Sequence, residues 1–132
     1  MAQGDVKIKK AGAYEFVCWY WDTSRAWGHE VRLCKHGFEV ARARVRYYNR
    51  TWERYTFQSA MYEALANYKK SEEERFLRNW KIEHGLKGFN EDYTEFEHPF
   101  KRGQKAEALA EFARTETTKD IKKLEKFIEK GE

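Results

Sequence analysis

Along residues 13–21, AYEFVCWYW, apolar side chains occupy both alternating sets: Tyr14, Phe16, Cys18 and Tyr20 on one, Val17, Trp19 and Trp21 on the other. Successive side chains of a strand leave opposite faces of a sheet. The segment therefore predicts a central strand, or one whose second face serves for binding. The run DTSRAWG carries turn residues and ends it. Residues 29–36, HEVRLCKH, place Val31 and Leu33 on one face and predict a second strand. Gly37 supplies a turn, and residues 38–48, FEVARARVRYY, predict a third strand. Asn49-Arg50 suits a two-residue hairpin loop, because Asn tolerates positive φ, and residues 51–57, TWERYTF, return as a fourth. Residues 1–12 read as a basic arm with a short strand at 6–8.

After Phe57 the period changes. Met61, Leu65 and Tyr68 recur at helical spacing, predicting a helix over 59–70. Ser71 before Glu72, Glu73 and Glu74 resembles a capping box, and Phe76, Leu77 and Trp80 mark a second apolar face that stops near Gly85. One long helix is the alternative. Residues 85–103 hold the single proline and read as a loop pinned by Phe89, Tyr93, Phe96 and Phe100. Residues 104–130 are helical, with Leu109 and Phe112 in one piece and Ile121, Leu124, Phe127 and Ile128 in another, capped by Thr117 or Thr118. The expected fold is α+β: one domain, an antiparallel sheet of about four strands over 13–57, then two to four helices. Residues 58–84 are its first helical part and 104–130 its C-terminal one.

A chain of 132 residues supports one core. Aromatic residues are 17% of it and charged residues 36%, and a disordered chain is poor in rings. The formal net charge of +4 is unevenly placed: residues 1–58 carry 11 Lys/Arg against 6 Asp/Glu, whereas residues 71–100 carry 4 against 8. A basic sheet region favours polyanions.

The third strand carries the sharpest pattern. Arg42, Arg44, Arg46 and Tyr48 share one face; Ala41, Ala43, Val45 and Tyr47 share the other. Period two assigns the small apolar set to the core and the arginines to an exposed stripe. On the fourth strand Trp52, Arg54 and Thr56 share one face and Thr51, Glu53, Tyr55 and Phe57 the other, with Arg46 facing Glu53, and Arg50, Trp52 and Arg54 join the arginines and Tyr48 in the expected binding set. Such a face suits phosphate contact and base stacking, and Arg binds phosphate in two places and stacks on rings. A solvated outer face, its arginines paired to Glu, is the plainer reading. Among the tryptophans, Trp19 and Trp52 default to core packing, while Trp27, in a turn, is the expected exposed one and joins the binding set.

Other chemistry is sparse. His29, His36, His84 and His98 show no metal-ligand spacing and read as surface or capping residues. No nucleophile elbow, Walker loop or GxGxxG occurs, and no cofactor or metal is expected. The acidic run Glu91, Asp92, Glu95, Glu97 fits a divalent cation or an ordinary solvated loop. With a turn centred near Ala26, Cys18 and Cys34 oppose each other, and two reduced thiols are the default. The amino-terminal residues lack the pattern of a signal peptide, and no apolar run approaches the ~20 residues of a membrane span. A cytoplasmic chain without membrane association is expected.

Residues 45–65, VRYYNRTWERYTFQSAMYEAL, resemble segments of short proteins carried by phages and other mobile elements. The resemblance implies a non-enzymatic protein that inhibits a bacterial defence nucleoprotein complex in the manner of anti-CRISPR proteins, or binds nucleic acid, in the host cytoplasm. Alternatives from the residues are a small metal-dependent nuclease using the acidic run and an aromatic-pocket protein that sequesters a nucleotide signal. The face of Ile121, Leu124 and Phe127 adds the expectation of a homodimer.

Overall fold

The computed structural model describes residues 6–48 and 56–131. Four strands pair antiparallel in chain order: β1 (Lys7–Ala11), β2 (Tyr14–Asp22), β3 (Trp27–Lys35) and β4 (Phe38–Tyr47). The α+β expectation holds, with the strand of the basic arm as the sheet's first. The Asn49-Arg50 loop and most of the fourth strand expected at 51–57 lie outside the described residues.

Turn chemistry fixes the register. His36 (φ 51) and Gly37 (φ 84) join β3 to β4 with Lys35 opposite Phe38, the positive pair that a tight hairpin matching the strand twist requires. Between β2 and β3, the Thr23 amide and hydroxyl both donate to the Ala26 carbonyl, at 2.8 and 2.9 Å. That closure sets Asp22 opposite Trp27 and centres the turn between Ser24 and Arg25 rather than near Ala26. Cys18 therefore opposes Val31, Cys34 opposes Glu15, and the two cysteines, which form no disulfide, sit on opposite faces. The expectation that they face each other across the hairpin is corrected.

Helix α1 runs unbroken over Gln58–Glu83. Ser71 sits exposed within it, and Glu72 pairs with Arg75 at 2.6 Å instead of capping a new start. Helices α2 (Gln104–Phe112) and α3 (Glu116–Glu129) follow. The Thr115 hydroxyl, rather than Thr117 or Thr118, accepts from the Thr118 amide and caps α3.

The chain divides into two compact units, one of residues 1–68 and 121–132, the other of 69–120. In the first, the inner sheet face (Tyr14, Phe16, Cys18, Val31, Leu33, Ala43) packs against Ala60, Met61, Ala64, Leu65 and Tyr68 of α1 and Ile121, Leu124 and Ile128 of α3. Phe127 stacks on Phe16 at 6.1 Å between ring centroids. The apolar face of α3 thus packs within the core of this unit.

In the second unit, Trp80 packs with Leu86 and Ala108 and donates its Nε1 hydrogen to Glu111 at 3.0 Å. The segment read as a loop contains a hairpin of β5 (Lys87–Phe89) and β6 (Glu95–Glu97). Phe89 and Tyr93 are exposed and do not pin it; Phe100 packs against the small core instead. Among the described residues no helix is long and apolar enough to cross a membrane.

Candidate binding face of the sheet

Antiparallel pairing places the outer-face residues in rows across the strands. Arg42 aligns with Arg32 and Val17, then Ile8; Arg44 aligns with Glu30 and Trp19; Arg46 aligns with Gly28 and Trp21. A row of Glu39, Cys34, Glu15 and Lys10 completes the face. Five cationic side chains thus share the described face with three carboxylates. The arginine stripe expected on the third strand is present, and Arg42, Arg44 and Arg46 are all exposed.

The guanidinium groups are held rather than splayed into solvent. Arg42 grips Glu39 in two places, Nε to Oε2 at 3.2 Å and Nη2 to Oε1 at 2.9 Å, and lies 3.8 Å from Glu30. The Arg42 hydrogen bonds hold the Glu39 carboxyl below the usual carboxylate range and raise the guanidinium's own affinity for its proton. Arg32 reaches Glu39 at 3.4 Å and lies 4.8 Å over the Trp19 ring. Arg44 lies 4.0 Å over the Trp21 ring and 4.0 Å from Glu30, and Arg46 lies 5.6 Å over Trp21. Exposed ion pairs of this kind contribute little to stability; here they order planar forks that still have free N–H edges.

Trp21 is 5% exposed although it belongs to the outer face. Its indole packs against Gly28, where a Cβ would come within 2.6 Å of the ring. Its Nε1 hydrogen has no acceptor among the described residues. Burial raises the affinity of the Cys34 thiol for its proton, and Glu15 and Glu39 add to it, so Cys34 is a poor nucleophile at neutral pH.

Two expectations for this face are corrected. Trp27, expected exposed, is 1% exposed and points inward, because the Thr23 closure starts β3 at Trp27 itself. Trp19, expected in the core, lies half-buried on the outer face under Arg32. Tyr48 is 78% exposed just beyond β4, while Arg50, Trp52 and Arg54 lie outside the described residues. Reading single strands missed Arg32, Glu30 and Gly28, since only the register shows that they share rows with the arginines.

His29 overturns its surface assignment. It is 3% exposed on the inner face, ringed by Phe57 at 4.2 Å, Tyr47 at 5.3 Å, Trp27 at 5.4 Å and Tyr20 at 6.1 Å. Burial pushes its pKa down to about 4, against a hydrogen bond to the Thr56 backbone that pulls the other way. His84 is likewise structural: its ring stacks on Trp80 at 3.6 Å and its Nδ1 meets the Trp80 carbonyl at 2.8 Å.

Three members of the acidic run have partners in the hairpin or on α1. Glu97 pairs with Lys81 at 2.9 Å and Lys87 at 3.2 Å, and Glu95 with Lys87 at 3.4 Å. The Asp92 carboxylate accepts from the Thr94 amide at 3.2 Å, shaping a turn in which Tyr93 adopts φ 65. Among the described residues no cluster of three or more His, Cys, Asp or Glu is placed to hold a metal ion. Compared with protein-family models, curated proteins and solved structures, the chain matches none.

Proposed function

We propose that this chain is a non-enzymatic binding protein whose outer sheet face holds the phosphate backbone of a nucleic acid, free or within a bacterial defence complex that it inhibits by occlusion. The observation that carries the reading is the triad Arg42, Arg44 and Arg46 on one exposed stripe, with Arg44 and Arg46 laid over a buried Trp21. Guanidinium planes fixed by rings and carboxylates lose less rotamer freedom on meeting phosphate than free side chains do. The resemblance of residues 45–65 to phage-borne segments supports a nucleoprotein complex as the setting.

The nuclease alternative has less to stand on, because Glu95 and Glu97 already neutralise lysines. For the nucleotide-signal alternative, the inner-face rings of Phe57, Tyr47, Trp27 and Tyr20 are already taken up by packing around the protein's own His29. Replacing all three arginines by Glu is expected to abolish retention of nucleic acid when tagged protein is recovered from bacterial lysate, with circular dichroism and melting temperature unchanged. Equal retention by the folded variant contradicts the assignment of this face, and loss of wild-type retention on nuclease treatment identifies nucleic acid as the ligand.

A further inference from the structure

The face is divided across its width. Its β4 side is cationic, with Arg42, Arg44 and Arg46 at every second residue. Its β1–β2 side is apolar in the rows of Arg42 and Arg44, with Val6 and Ile8 more than half exposed and Val17 and Trp19 partly so, and carries Lys10 and Glu15 only in the row of Glu39. Alternate residues of a strand stand about 7 Å apart, close to the step between neighbouring phosphates on an extended nucleic-acid strand. Two strand spacings, about 10 Å, separate β4 from β2, the span from a phosphate to the far part of its own base.

On these dimensions we infer that the ligand is single-stranded nucleic acid, laid along β4 with one phosphate per arginine and its bases turned across β3 towards Trp19. The inference rests on the phosphate-binding reading of the same face. The arginine column is the backbone rail. The Arg32–Trp19 pile, 4.8 Å between guanidinium carbon and ring centroid, is the stacking shelf for the base belonging to the phosphate at Arg44. Both a guanidinium plane and an aromatic ring accept a base. Glu30 lies between rail and shelf in that row and offers acceptors to base N–H groups. A duplex keeps its bases stacked inside and leaves the apolar half of the face unused.

The test compares three fluorescent probes of about twelve nucleotides: oligothymidylate, an abasic strand with the same phosphates, and a duplex. Anisotropy titrations use the full chain and its Trp19→Ala, Trp19→Phe and Arg32→Ala variants. The expected result is tighter binding of oligothymidylate than of the abasic strand or the duplex. Trp19→Ala should weaken oligothymidylate binding about tenfold while leaving duplex and abasic binding unchanged, and Trp19→Phe should restore most of the loss. Arg32→Ala, at a half-exposed position, repeats the Trp19→Ala result without touching the core. Equal affinity for all three probes, or equal losses on all three, overturns the base shelf and leaves phosphate binding standing. No binding of any probe by the wild-type chain removes the phosphate reading as well.

Discussion

Gly28 has no side chain, and the Trp21 indole occupies the place where one would be. An added methyl would also press on the Val45 carbonyl oxygen of the neighbouring strand. Gly28→Ala should therefore destabilise the fold by about 2 kcal/mol, as overpacking of a tight site does, and chemical denaturation measures it; an unchanged midpoint would mean that neither the Val45 carbonyl nor the Trp21 ring lies against the glycine. His29 carries a second prediction at this scale. Its folded pKa of about 4 lies below the ordinary value of 6.5, so the unfolded chain takes up the proton first. The contribution is intact above pH 6.5 and is lost as pH falls towards 4, by about 3 kcal/mol over that window. Urea unfolding from pH 7 to pH 4 should show that slope, and His29→Phe should flatten it. Period two identified Arg42, Arg44 and Arg46 as one face from sequence. It did not reveal His29 as core or Trp27 as buried, because a residue's face depends on where the preceding turn closes. The Thr23 hydrogen bonds that decide this are not written in hydrophobicity.

Among the elements, α1 separates two readings of one serine. As an N-cap, Ser71 would lose about 1 kcal/mol of stability on replacement by Ala. In the middle of a 26-residue helix, exposed, it should gain a few tenths of a kcal/mol, and thermal melting of Ser71→Ala tells the two apart. Both outcomes were open in the sequence, since an acidic run after serine suits a cap and a helix interior alike. The hairpin of β5 and β6 escaped notice for a different reason: strands of three residues are too short to display a period. The expected strand at 6–8 extends to Lys7–Ala11, where Gly12 at φ 63 makes the turn into β2.

At the scale of the molecule, the two sides of one sheet do different work. The inner side is closed by α1 and α3, and the outer side gathers charge over tryptophan. The charge bias of residues 1–58 was legible in composition, but which of its cations share a face with the arginines, and their dilution there by Glu15, Glu30 and Glu39, required the strand register. The acidic stretch of 71–100 is partly neutralised by Lys81 and Lys87, so magnesium or manganese should leave the melting temperature unchanged, as differential scanning fluorimetry would record; a clear rise would revive the metal-dependent alternative.

The salt dependence of binding to a labelled single strand reaches the central claim most directly. Three arginine–phosphate contacts predict that the logarithm of the binding constant falls with the logarithm of salt concentration at a slope of at least about 2. The variant with Glu at 42, 44 and 46 should lose both the affinity and that slope. Binding by the folded variant with the wild-type slope would place any nucleic-acid contact elsewhere on the protein.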